Sequence, residues 1–115
     1  MIQEADIRLN LTLPKKDVHK KMNVFYNPVM KSNRDISIAL LLALDKQKMN
    51  LALPLSGSGI RALRFLVELK KEKMEELHVN DVREGFEREF KQSLILNKIS
   101  SKNIFIHNEE ANIFL

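Results

Sequence analysis

The period of apolar positions changes along this chain, and each change marks an element. Over residues 5–13, Ile7, Leu9, Leu11 and Leu13 alternate with Arg8, Asn10 and Thr12. A period of two predicts a strand with one wet face, ended by Pro14. A basic stretch and a bulky, irregular segment over 24–30 follow. Ser32 or Asn33 is then placed to cap a helix over 34–45, whose broad apolar face implies burial. Residues 50–55 read as a buried strand. From Gly59 to about Lys73, Ile60, Leu63, Leu66 and Val67 share one face, and Arg61, Arg64, Glu68 and Lys71 share the other. That spacing predicts an amphipathic helix. A short strand over 77–81 leads to a helix over 84–97 with Phe86, Phe90, Leu94 and Asn97 along one side. Its outer face offers the i,i+4 pairs Glu84–Arg88 and Glu87–Lys91. A third strand is expected over 103–107, and a third helix begins over 109–115.

Strand, helix, strand, helix, strand argues for an α/β fold with a parallel sheet, and ligands of such sheets sit beyond the C-terminal ends of the strands. Three segments fall at those ends: 56–59, Asp81, and 108–111. At the first, the apolar run Leu51-Ala52-Leu53-Pro54-Leu55 stops at Ser56-Gly57-Ser58-Gly59 and a helix starts at once. Two glycines allow a tight turn and a close backbone approach. The helix start aims its free N–H groups and positive dipole end at whatever lies there.

Bulk composition constrains partners more than chemistry. The 115 residues suit one domain, with 44% hydrophobic and 30% charged residues. The net charge of +4 fits an anionic partner such as RNA. The run Lys15, Lys16, Lys20 and Lys21 reads either as a solvated loop or as an RNA phosphate contact. There is no cysteine, hence no disulfide or thiolate nucleophile, which is compatible with a reducing cytoplasm. The longest apolar run, residues 38–44, is far short of a membrane span, and the start of the chain, with Glu4 and Asp6, lacks a secretory hydrophobic region. The histidines share no metal-ligand spacing.

Residues 57–62, Gly-Ser-Gly-Ile-Arg-Ala, match the G-x-G-x-x-A fingerprint, and Asp81 lies about where a ribose-binding acid is needed. Nicotinamide dinucleotides and S-adenosylmethionine both use this geometry. A guanidinium in the first helical turn, Arg61, suits a methionine carboxylate better than a pyrophosphate, and Arg34 offers a second such group. Glu110 can accept from an adenine amine, with Ala111 presenting backbone and a small side chain beside the ring. Each has a plain alternative: surface ion pairs for the arginines, and a favourable first-turn acid for Glu110. A dinucleotide-dependent oxidoreductase fragment and a non-catalytic RNA-binding accessory subunit therefore stay open.

Val24-Phe25-Tyr26-Asn27-Pro28-Val29-Met30, then Asn33-Arg34-Asp35-Ile36-Ser37, resembles the N-terminal signature of the tRNA guanine-26 N2-dimethyltransferases. The blocks 56–64, Asn80-Asp81 and 108–112 follow in that family's order and spacing. The resemblance implies a Rossmann-like S-adenosylmethionine-dependent methyltransferase fold acting on the exocyclic N2 amine of a tRNA guanine. It implies cofactor contacts from Arg34, Gly57, Ser58, Gly59, Arg61, Asp81, Glu110 and Ala111. Residues 1–32 would be an N-terminal β-extension and basic loop, and 33–115 the first half of the methyltransferase domain. The family carries aspartate where this chain has Glu110. Its catalytic Asp-Pro motif belongs to a fourth strand, before which this chain stops; the prolines here follow Leu13, Asn27 and Leu53. No catalytic residue is assigned, because Asn27-Pro28 lacks a following aromatic residue and reads as shaping the pocket. Phe25 and Tyr26 could stack on a base or on adenine, though core packing suits Phe25. The expectation is a fold truncated after its third strand, binding cofactor without methyl transfer and completed by the missing C-terminal half or a partner chain.

Overall fold

In the computed structural model, residues 1–11, 26–69 and 71–115 are described. The core is a parallel sheet of β3 (Met49–Leu53), β4 (Met74–Asn80) and β5 (Ile104–His107), in that order. Helix α2 (Ile60–Glu68) connects β3 to β4, and α3 (Phe86–Leu96) connects β4 to β5. Ahead of them stand a hairpin of β1 (Ile2–Glu4) and β2 (Ile7–Leu9), a 3-10 turn at Pro28–Met30 and helix α1 (Lys31–Ala43); α4 (Ala111–Phe114) closes the chain. Among the described residues no helix is long and apolar enough to cross a membrane.

The expected α/β alternation is therefore present, and the apolar spacing explains why. Ile60, Ala62, Leu63 and Phe65 of α2 and Phe86, Phe90 and Leu94 of α3 pack with Leu77 and Val79 of β4 in one core. β2 adds Ile7 and Leu9 to the same core. Burial of this apolar surface supplies the main driving force of such a fold.

Several boundaries differ from the sequence reading. The alternating stretch is not one strand. Ala5 takes a left-handed φ of +50°, and Glu4 pairs with Ile7, so residues 5 and 6 form a two-residue hairpin turn. The strand expected to run on from Leu9 stops there; Thr12 and Leu13 lie outside the described residues. Helix α1 starts three residues early because it runs straight on from the 3-10 turn at Pro28–Met30, which Asn27 caps, and neither Ser32 nor Asn33 caps it. Asn27 Oδ1 accepts from the Val29 N–H at 3.0 Å, and Pro28 needs no donor at the first turn. The broad apolar face of α1 is not buried: it packs through Arg34 and Ile38, while Ile36 is 67% exposed and Leu40 59%. Helix α2 ends at Glu68 rather than near Lys73, because Glu72 and Lys73 carbonyls already accept from the Lys48 and Met49 N–H groups at the start of the sheet. The pair Glu87–Lys91 forms at 2.7 Å, but Glu84 precedes α3 and cannot reach Arg88 by helical spacing.

The largest departure is Arg64, assigned above to a wet face and found 4% exposed. It turns inward to an acid that the sequence places sixty residues away. Glu4 is 3% exposed. Its carboxylate accepts from Arg34 Nε at 2.8 Å and Nη2 at 2.6 Å, from Arg64 Nη1 at 3.2 Å and from the Tyr26 hydroxyl at 2.8 Å. Arg64 also pairs with Asp35 at 2.5 Å and Glu68 at 2.6 Å. One carboxylate thus joins the hairpin, the pre-helix segment, α1 and α2.

Burial pushes the Glu4 carboxyl up, but the hydrogen bonds from Arg34, Tyr26 and Arg64 outweigh it and hold it below its ordinary value. Burial, with the adjacent Glu4 charge, raises the Tyr26 hydroxyl to about 12. Because the Glu4 pKa is lowered by folding, its stabilisation is complete above the ordinary glutamate value and disappears as pH falls through the lowered one. Removing one partner from a buried ion pair costs about 3–5 kcal/mol, since the other charges stay buried. Glu4→Ala should lose that amount in urea unfolding at neutral pH, and Glu4→Gln should flatten the acid limb of stability against pH. Wild-type acid behaviour in Glu4→Gln would show that the cluster contributes nothing.

Candidate cofactor site

The parallel strands deliver their C-terminal ends to one rim, and the turn after β3 is shaped there by two left-handed glycines. Gly57 takes φ +57° and Gly59 φ +82°. A Cβ at Gly59 would lie 2.7 Å from the Phe90 ring of α3. Glycine is required at 59 twice over, by conformation and by the close approach of α3. The Gly59 N–H donates to the Ser56 carbonyl at 2.8 Å, which tightens the turn.

Asp81 braces this turn. Its Oδ2 accepts from the Gly57 N–H at 2.8 Å and its Oδ1 from the Arg83 N–H at 2.9 Å. A carboxylate has about four acceptor positions, so two bonds leave capacity for hydroxyl donors. Arg83 returns to the turn with Nη2 3.4 Å from the Gly57 carbonyl, while its Nη1 pairs with Glu89. Asn80, fully buried, ties the β4 end to both neighbouring strand ends through Pro54 and Glu109. Asn108 donates to the Asp81 and Arg83 carbonyls at 2.7 and 2.9 Å.

A cleft of about 230 Å³ opens between the glycine turn and the start of α1. Arg34, Gly57, Ser58 and Arg61 line it, with Tyr26, Asn27, Ser56 and Leu55 among their neighbours. Asp81, Glu110 and Ala111 do not line it. Asp81 reaches it through Gly57, and Glu110 stands exposed as the residue before α4, its side chain capping nothing. A larger cavity of about 620 Å³, between the hairpin and α3, carries one acidic side chain, Glu89, and no Lys or Arg side chain among the described residues.

The three arginines near the cleft are not equivalent. Arg34 bonds Glu4 and the Asn27 carbonyl at 3.0 Å, and Arg64 bonds Glu4, Asp35 and Glu68. Arg61 makes no salt bridge among the described residues. Its Nη1 donates to Ser37 Oγ and its Nη2 to Asn33 Oδ1, both at 2.7 Å, and both acceptors are neutral. Burial and then repulsion from Arg34 lower its pKa from the ordinary arginine value. Such a guanidinium, held in position and unmatched, is suited to an anionic group of a ligand.

Residues 3–115 match the family model for N2,N2-dimethylguanosine tRNA methyltransferase. The chain belongs to this family. All of the chain aligns, at 37% identity, with 30% of a tRNA (guanine(26)-N(2)/guanine(27)-N(2))-dimethyltransferase of Aquifex aeolicus. A tRNA (guanine(26)-N(2))-dimethyltransferase of Methanocaldococcus jannaschii is 41% identical over 88% of the chain and 28% of its own length. A solved Trm1 of Pyrococcus horikoshii in complex with S-adenosyl-L-methionine superposes at a TM-score of 0.74 and 30% identity, over 98% of this chain and 31% of that one. The chain spans about 30% of the length of the curated relatives it matches.

Along this chain, structure and expectation meet unevenly. Lys15, Lys16, Lys20, Lys21 and Phe25 lie outside the described residues. Tyr26 is 4% exposed, its hydroxyl spent on Glu4. Asn27 has its side-chain oxygen on the Val29 N–H, which fits the pocket-shaping reading. His78 and His107 sit side by side on β4 and β5, with Nδ1 and Nε2 3.1 Å apart. Sequence reasoning missed Glu4, Arg64, Asn80 and Arg83. Only Asn80 left a signal, its place beside Asp81 in the Asn80-Asp81 block.

The Gly59 constraint predicts that Gly59→Ala costs about 3 kcal/mol, from overpacking against Phe90 and a left-handed Cβ. Thermal unfolding checks it. The double variant Gly59→Ala/Phe90→Leu should recover the overpacking part only, and full tolerance of the single variant would contradict the close approach.

Proposed function

We propose that this chain is the S-adenosylmethionine-binding portion of a tRNA methyltransferase that acts on the exocyclic N2 amine of guanine at position 26. The observation that carries this reading is Arg61, a half-buried cation with only neutral partners, standing on the cleft that the glycine turn walls. The residues fit the donor in three places. Arg61 takes the methionine carboxylate. The Gly57, Ser58 and Gly59 backbone lets the ligand approach, and Asp81 accepts from the ribose hydroxyls with the capacity its two backbone bonds leave. Glu110 and Ala111 flank adenine. Arg34 borders the cleft with its charge already matched by Glu4, so it orders the pocket wall and adds a weaker field than Arg61. When bound, the cofactor supplies an electrophilic methyl group.

A guanine amine is a poor nucleophile whose proton must be accepted as the new bond forms. No residue of this cleft is assigned that task, and the reading gives this chain donor binding only. Transfer to tRNA then involves the remainder of the enzyme or a completing chain, in the cytoplasm, with the segment of Lys15, Lys16, Lys20 and Lys21 as an RNA phosphate contact.

Calorimetry with S-adenosylhomocysteine, adenosine and oxidised nicotinamide dinucleotide tests the reading. S-adenosylhomocysteine should bind and the dinucleotide should not. A charge-assisted pair is worth about 1.5–3 kcal/mol, so Arg61→Ala should weaken S-adenosylhomocysteine at least about tenfold. It should leave adenosine, which has no carboxylate, unchanged. Preference for the dinucleotide, or salt-sensitive tRNA binding with no adenosine-cofactor affinity, would overturn it.

A further inference from the structure

The side chain of Asn80 is fully buried at the C-terminal end of the central strand. A buried amide is costly unless all its hydrogen-bonding positions are used. Here both donors and the oxygen are used, on the two neighbouring strand ends. Nδ2 donates to the Pro54 carbonyl at 3.1 Å, just past β3, and to the Glu109 carbonyl at 2.8 Å, just past β5. Oδ1 accepts from the Glu109 N–H at 2.9 Å. The backbone adds a second link to the glycine turn. The Asn80 N–H donates to Ser56 Oγ at 3.2 Å, and its carbonyl accepts from the Ser56 N–H at 2.9 Å.

The site around this side chain presents two carbonyl oxygens and one N–H. Only a primary amide has two donors and an acceptor in that arrangement. Aspartate, of the same shape, would turn an oxygen towards two carbonyl oxygens. Among the described residues Asn80 is the one side chain whose own amide reaches both outer strand ends; Asp81 and Arg83 also link Gly57 to Asn108, but partly through their backbone carbonyls. The distance between the glycine turn and the Glu110–Ala111 corner is therefore fixed from inside the rim by a side chain that itself lines no cleft, with the Asp81, Arg83 and Asn108 bonds outside it.

We infer that Asn80 is a positioning residue for the adenosine half of the ligand. It holds the turn after β3, Asp81 and the start of α4 at the spacing that ribose and adenine bridge. The inference deepens the donor-binding reading and rests on it. It separates two kinds of dependence along one ligand. Arg61 governs the carboxylate end, and Asn80 governs the nucleoside end.

Binding by Asn80→Asp tests this. Loss of rim spacing should weaken adenosine and S-adenosylhomocysteine by the same factor, about tenfold for a lost buried bond of about 1.4 kcal/mol; Arg61→Ala weakens only the second. Val79→Ala, a fully buried core change beside it, controls for stability alone. It should lower the melting temperature yet leave both affinities within about twofold, because a cavity distant from ligand costs folding rather than binding. A folded Asn80→Asp with wild-type affinities, or a Val79→Ala that weakens binding equally, would overturn the inference. Should the aspartate variant not fold, Asn80→Ala, which removes the donors without adding charge, is read the same way. Should wild type bind no S-adenosylhomocysteine, the functional reading fails, and amide exchange decides the rest. Faster exchange at Ser56 and Glu109 in the variant upholds the bridge between strand ends, and unchanged exchange refutes it.

Discussion

One buried carboxylate organises the charges on which the cleft depends. Glu4 comes from a short hairpin far from the sheet in sequence, yet it lies between the guanidiniums of Arg34 and Arg64 and accepts from Tyr26 as well. Two buried cations without it would repel each other and, unsolvated, destabilise the packing of α1 on α2. With it, and with Asp35 and Glu68 on Arg64, their charge is matched. Arg61, one helical turn before Arg64, is then the cation near the turn with no acid on it among the described residues. The proposed selectivity of the cleft for an anionic ligand end rests on this division of partners rather than on the count of arginines.

The glycine turn carries the second constraint. Its shape needs left-handed glycines, and its position needs α3, whose Phe90 ring fills the space a Cβ would take at Gly59. Packing and site geometry are the same contact here. The hydrogen bonds of Asp81 and Asn80 finish the rim by tying the turn to β4 and β5. A family of enzymes that bind an extended ligand across several strand ends needs such cross-links, because each loop alone would be too soft to hold a fixed spacing.

The sheet and its two crossover helices were legible because their signals are local and periodic. Phe86, Phe90 and Leu94 recur at four-residue spacing, and the glycines follow an apolar run directly. The G-x-G-x-x-A stretch was equally plain. The ion cluster was not legible. Arg64 shares its helix face with Arg61 and Glu68, so periodicity assigns it to solvent, and its decisive partner Glu4 is distant in sequence. The hairpin was hidden because its turn uses Ala5, a residue with no turn preference, at a left-handed φ. The role of Asn80 was hidden because its partners are backbone carbonyls and an N–H group, which leave no mark in the sequence.

The central claim is that one rim holds a methyl donor with its carboxylate at Arg61 and its nucleoside between Asp81 and Glu110. A crystal structure of the chain soaked with S-adenosylhomocysteine addresses it most directly. The account predicts a bidentate carboxylate on Arg61, ribose hydroxyls on the Asp81 carboxylate still bonded to Gly57, and adenine against Ala111. A ligand seated in the cavity between the hairpin and α3, or an Arg61 side chain swung onto a protein carboxylate with the cleft empty, would contradict it.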